Sequence, residues 1–213
     1  MPDTFFTPHQ RATVEAAMAR IIPTDDTPGA TEAGCVDFVD RYLSGIGYIY
    51  AKPDGSGFET LTGPSADAWR QRIEIMRGRY AEGLADLDRR ARAAFGQDFV
   101  ALSPERQDAT LSEVEKAGSG AKASTPGESL GEPALQQTST EVDLDFLPLL
   151  IAHTRQGFYC DPIYGGNRDR IGWTVIGFPG PASLKDVHTG RYTTLQYFAE
   201  GEADKVREFH DGL

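Results

Sequence analysis

Apolar positions recur at helical spacing along most of this chain. Val14, Met18 and Ile21 form a first stripe, and Thr7, Pro8 and Gln10 ahead of it supply an N-cap hydroxyl, a first-turn proline and a capping-box glutamine. A helix to about Ile22 follows, stopped by Pro23. Thr31 is placed to cap a second helix reaching about Ser44, with Cys35, Val36, Val39, Tyr42 and Leu43 on its apolar side and Gly45 at its end. The clearest pattern is the third. From a cap at Ser65, Trp69, Ile73, Met76, Tyr80, Leu84, Leu87, Ala91 and Phe95 alternate spacings of three and four until Gly96. Such a stripe spans about 45 Å, enough to be the spine of a domain.

Weaker patterns fill in the rest. Ser103 and Pro104 open a short helix that turns Leu111 and Val114 inward, and an apolar run from Val142 to Ile151 reads as another helix, with Pro148 putting its start near Asp145. Between Tyr48 and Thr62 turn residues separate short aromatic pieces, the chemistry of a small hairpin. Tyr192, Leu195, Tyr197 and Phe198 suggest a last short helix or docking strand. Residues 117–140 are small, polar and aperiodic, which predicts a flexible low-complexity excursion inside one domain spanning 1–213. The expected fold class is mainly α: a single-domain irregular helical bundle with a long central helix and an extended Gly/aromatic-rich loop near the C-terminus.

That loop, His153 to Gly180, mixes Phe158, Tyr159, Tyr164, Trp173 and Phe178 with six glycines. Glycine admits positive φ and close backbone approach, whereas large rings need a packed or contacted surface, so the mixture predicts an irregular loop and not a helix. Two readings fit. The rings plug one end of a helical core, or they present a surface to a ligand or partner.

Charge and cysteine content narrow the function. The chain has 213 residues and a formal net charge of −11, which argues against non-specific binding to phosphate backbones or anionic lipid. No apolar run approaches the roughly 20 residues of a membrane span. The N-terminus shows no basic region followed by an apolar one, so the expected location is cytoplasmic, or periplasmic if a leader has been removed. Cys35 and Cys160 are too few to read as a metal site, and free thiols are the expectation. None of His9, His153, His188 and His210 falls in a metal-ligand spacing, and His153 reads as a core or helix-end histidine. Dinucleotide-binding, phosphate-loop and nucleophile-elbow motifs are missing too, so neither catalysis nor flavin binding is expected of this chain. Asp25 and Asp26 read as turn residues that bond loop amides and cap the next helix.

Two sequence blocks carry a family resemblance. Tyr159, Cys160, Asp161, Pro162, Ile163, Tyr164, Gly165, Gly166 and Asn167, followed by Gly172, Trp173 and the Gly177 to Gly180 exit, resemble the signature of the gluconate 2-dehydrogenase subunit 3 family. Ile21 to Ala30, IIPTDDTPGA, resembles that family's N-terminal block. The resemblance implies a non-catalytic small subunit that stabilises or chaperones a larger flavin-dependent partner of the glucose-methanol-choline type, with FAD in the partner and a sugar, glycoside or sugar acid as substrate. It also implies that Tyr159, Cys160, Asp161, Tyr164, Gly165, Gly166, Asn167 and Trp173 face the partner. Many members carry a twin-arginine leader, which this sequence lacks. The alternative from the residues alone is a stand-alone carbohydrate-binding protein or glycosidase-like enzyme, with rings stacking on sugar faces and Asp25, Asp26 or Asp161 as acids.

Overall fold

A computed structural model of the chain describes residues 4–121, 141–181 and 183–193. Among these described residues there are seven α-helices: α1 (Pro8–Ile21), α2 (Cys35–Ser44), α3 (Gly63–Phe95), α4 (Pro104–Ala121), α5 (Phe146–Tyr159), α6 (Ile171–Val175) and α7 (Leu184–His188). Among the described residues there is no strand, and the fold is mainly α, as the periodicity predicts.

The long helix is the spine. α3 runs for 33 residues, and Ile73, Met76, Tyr80, Leu84, Leu87 and Ala91 face the core along it. Gly96 ends it in the left-handed conformation with φ 74°, as a C-terminal glycine should. Its start differs from the expected Ser65 cap. The helix begins at Gly63 after Thr62, because Pro64 fits the first turn, where its missing N–H costs nothing. α1 keeps the whole capping box: Thr7 accepts from the Gln10 N–H, and Gln10 Oε1 accepts from the Thr7 N–H.

Two arginines of α3 reach across to other elements. Arg77 donates to the carbonyls of Leu43 and Ser44 at 2.8 and 3.0 Å, satisfying two orphan acceptors at the end of α2. Arg72 reaches Glu141 at 3.1 Å. Arg70, Arg89 and Arg90 instead pair along the helix, with Asp67 and Asp86.

Three further boundaries are corrected. α2 begins at Cys35, not after Thr31, because residues 30–34 form a turn closed by Cys35 N–H to Ala30 O at 3.0 Å, with Gly34 at φ 68°. α5 runs on to Tyr159, so His153 to Tyr159 are helix where a loop is expected. Leu149, Leu150, His153, Thr154, Gly157 and Phe158 are all buried on its inner face, which is the helical spacing hidden by the glycine and ring content. Ala117 to Ala121 belong to α4, and the remainder of the expected excursion, 122–140, lies outside the described residues, as do Leu195, Tyr197 and Phe198.

The inward side of α4 is shared differently from the expectation. Gln107 and Thr110 are its buried residues, while Leu111 and Val114 are half-buried against the core edge. The expected hairpin reduces to a single antiparallel bridge between Ala51 and Phe58 around a turn. Asp25 accepts from the Thr27 N–H at 2.9 Å, and Glu32, not Asp26, accepts from the Gly29 N–H.

Candidate functional site

The chain from Tyr159 to Gly180 is folded back on the last turn of α5 and the start of α2. Gly157 makes this possible. Its Cα lies so near α2 that a Cβ would stand 3.1 Å from Cys35 Cα, and its carbonyl accepts from the Asn167 N–H at 2.7 Å. Gly166 packs on the same carbonyl, and Gly172 on that of Phe158, each with no room for a Cβ.

Asn167 holds the turn from inside. It is fully buried, its Nδ2 donates to Cys160 O at 2.8 Å, and its Oδ1 accepts from the Gly172 N–H at 2.8 Å. Its φ is 46°, and Asp169 and Arg170 follow at 54° and 60°. Asparagine tolerates that region better than most residues. Beyond the turn, Arg168 donates its N–H to Ala33 O at 2.9 Å and pairs with Asp37 at 2.6 Å. Asp37 also takes Arg11 of α1. The segment just after the N-terminal block is thus tied to the C-terminal one.

The residues expected to face a partner are divided by burial. Gly166, Asn167 and Trp173 lie inside the chain's own packing. The Trp173 indole N–H donates to Tyr159 O at 2.8 Å, and Gly180 is pressed against its ring. Cys160, Asp161, Tyr164 and Gly165 are half-buried, and Asp161 caps the following turn by accepting from the Ile163 N–H at 3.0 Å. Tyr159 is exposed, at 43%. Further along, Ile176 and Phe178 are exposed at 55% and 38%, with Phe178 edge-on to Trp173 at 5.3 Å. Phe178 is one of the rings that composition offers as a surface, whereas nothing in the pattern singles out Ile176.

A pocket of about 450 Å³ opens next to this region, walled by Tyr42, Tyr48, Tyr50, Trp69, Tyr159 and Tyr164 and floored by Phe38, Ile49, Gln156 and Cys160. Four of its wall rings, Tyr42, Tyr48, Tyr50 and Trp69, come from stretches whose pattern reads as core or turn. Tyr42 and Gln156 are fixed from behind by Glu141, which accepts from the Tyr42 hydroxyl at 3.0 Å and from Gln156 Nε2 at 2.7 Å. Burial works to raise the Glu141 carboxyl, but His153, Gln156 and Tyr42 outweigh it and hold the group well below the usual carboxylate range.

His153 is fully buried, stacked on Tyr80 with rings 5.7 Å apart, its Nδ1 2.9 Å from the Tyr80 hydroxyl. Its Nε2 stands 4.0 Å from Glu141 Oε2, beyond hydrogen-bond distance. Burial pushes both thiols, Cys35 and Cys160, up to about 12, and both are free. Such thiols are poor nucleophiles at neutral pH.

With this geometry in hand, comparison with known proteins is decisive. Residues 8–180 match the family model described as gluconate 2-dehydrogenase subunit 3. The chain belongs to that family. No curated protein and no solved structure matches it. As a subunit 3 protein it is an accessory subunit of a dehydrogenase complex, with a larger dehydrogenase as partner. The match spans both sequence blocks, and the fold brings them close together. The first closes the Ile22 to Ala30 loop, where Gly29 lies against the Ile22 and Pro23 carbonyls, and the second locks onto the turn just beyond it.

Two other features of this subunit 3 protein bear on chemistry. His9, Asp88 and Asp98 bring ligand atoms within 4.8 Å of one another. Their atoms are already engaged, His9 with Asp88 at 2.6 Å, Asp88 with the Phe99 N–H at 3.0 Å, and Asp98 with Arg92, so the cluster works as a clamp joining α1, α3 and the chain before α4. Among the described residues no helix is long and apolar enough to cross a membrane.

Proposed function

We propose that this chain is the non-catalytic small subunit of a flavin-dependent sugar, glycoside or sugar-acid dehydrogenase. In this reading the large subunit is of the glucose-methanol-choline type and holds the FAD. The small subunit keeps its partner folded and soluble and lends a rim to its substrate pocket. The observation that carries the reading is the family match through both motif blocks. The site adds support: the polar groups of the second block are spent on the chain's own architecture, with Asn167, Asp161 and Trp173 all bonded internally. Outward, the stretch exposes the charged Arg168, Asp169 and Arg170 and the large apolar Tyr159, Ile176 and Phe178, and large rings at a desolvated centre carry most of the energy of a protein interface.

The test is co-expression with a tagged flavoprotein encoded beside this chain, followed by size exclusion with absorbance read at the flavin bands. A yellow complex that oxidises sugars, whose large subunit is insoluble or inactive alone, is the expected result. A flavoprotein fully active and soluble without this chain would overturn the reading.

A further inference from the structure

The walls of the 450 Å³ pocket define what can enter it. The Tyr50 hydroxyl oxygen accepts from the Trp69 indole N–H at 3.3 Å, and the Tyr164 hydroxyl oxygen accepts from the Ala51 N–H at 3.3 Å. A phenol has one proton to give. With both oxygens used as acceptors, each O–H is left as a donor for an incoming acceptor. The pocket therefore offers flat apolar walls and hydroxyl donors.

That combination discriminates among ligands. A cation suits a ring-lined box in general, but here Arg41 already lies over Tyr48 at 5.6 Å and Arg72 over Trp69 at 5.0 Å. Arg72 is paired with Glu141 and Arg41 is bonded to Ile163 O at 2.8 Å, so both ring faces are already taken by fixed cations. A sugar brings many hydroxyls, each a donor and an acceptor, and walls of ring carbon would leave most of them without partners, at a cost for every one buried. The best fit is a group with an apolar ring, a strong carbonyl acceptor and no N–H. Proline is that group. A proline-containing stretch is also pre-formed as an extended helix, so grooves of tyrosine and tryptophan bind it with little loss of chain entropy.

We propose that the pocket bounded by Tyr50, Trp69, Tyr159 and Tyr164 receives a proline-containing extended segment of the catalytic subunit, its carbonyls bonded by the Tyr50 and Tyr164 hydroxyls. The inference rests on the accessory-subunit reading and makes it specific. Tyr159 lines the pocket and is itself exposed, so the pocket opens onto surface a partner can reach.

The test uses the co-expressed complex with a photoreactive benzoylphenylalanine in place of Tyr50, which stands exposed at the pocket mouth. Irradiation is expected to join it to a proline-containing stretch of the large subunit. Tyr50→Phe removes only the donor and should weaken the complex measurably, while Trp69→Ala should weaken it by roughly tenfold or more. In parallel, decaproline added to the isolated chain should shift tryptophan fluorescence saturably, and glucose or tetramethylammonium should not. An intact complex cross-linked only to proline-free sequence, or not at all, would overturn this proposal and leave the subunit reading standing. Failure to form any complex would overturn both. A response to glucose or tetramethylammonium without one to decaproline would replace the proline segment with that ligand class.

Discussion

Gly166 lies directly against the carbonyl oxygen of Gly157, where an added Cβ would sit 2.1 Å away. Both partners at that contact are backbone, so neither can rotate aside. Gly166→Ala should therefore force the turn off the end of α5 and break the Asn167 to Gly157 bond, destabilising the chain by about 3 kcal/mol. Thermal unfolding followed by circular dichroism checks this. An unchanged midpoint would mean that the turn is far more compliant than its packing implies.

Gly83 gives the same kind of contact in the middle of the spine. A Cβ there would fall 2.0 Å from the Phe146 ring, which packs edge-on to Tyr80 at 5.7 Å. Alanine is the better helix former by about 1 kcal/mol. Displacing Phe146 costs more, so Gly83→Ala should be net destabilising by about 1–2 kcal/mol. Pairing it with Phe146→Ala should recover part of the loss, and the double-mutant cycle measures the coupling.

Glu141 makes stability depend on pH in a definite direction. Its folded carboxyl titrates well below the ordinary value of 4.5. A depressed group contributes fully above the unfolded pKa, and the contribution is lost as pH falls through the folded one. Wild type should therefore melt higher than Glu141→Gln between pH 5 and 7, and the gap should close as pH falls from about 4.5 toward 2. A constant gap over that range would place the effect in packing and not in charge.

The two thiols supply a kinetic readout. Because burial raises Cys35 and Cys160 to about 12, both are neutral at pH 7, and disulfide exchange needs thiolate. A thiol-reactive disulfide such as Ellman's reagent should label the folded chain at least about tenfold more slowly than the urea-unfolded chain. Equal rates would show that one sulfur is open to solvent.

How far these features could be read in advance varies with their physical origin. The spine was legible because Ile73, Met76, Tyr80, Leu84 and Leu87 keep one face buried over many turns, and the α1 cap because Thr7, Pro8 and Gln10 act within a single turn. α5 was cut short because Gly157 and the adjoining rings imitate loop composition, whereas that glycine is there for a close approach to Cys35 on another helix. Long-range partners leave no local pattern. Nothing in the sequence around Arg77 says that it ends α2, nor around Trp69 that it joins Tyr50 and Tyr164 in one pocket. The family blocks were visible as strings, but their internal hydrogen bonds were not.

The tie between Arg168 and Asp37 joins residues 131 positions apart, alongside the Arg168 N–H to Ala33 O bond. Contacts that distant form late, because a long loop must close before they are rewarded. On the ribosome, the second block emerges only after most of the chain has been made. The fold that positions Tyr159 and Trp173 is consequently completed late, and a partner that docked there would select small subunits in which that long-range tie has already closed.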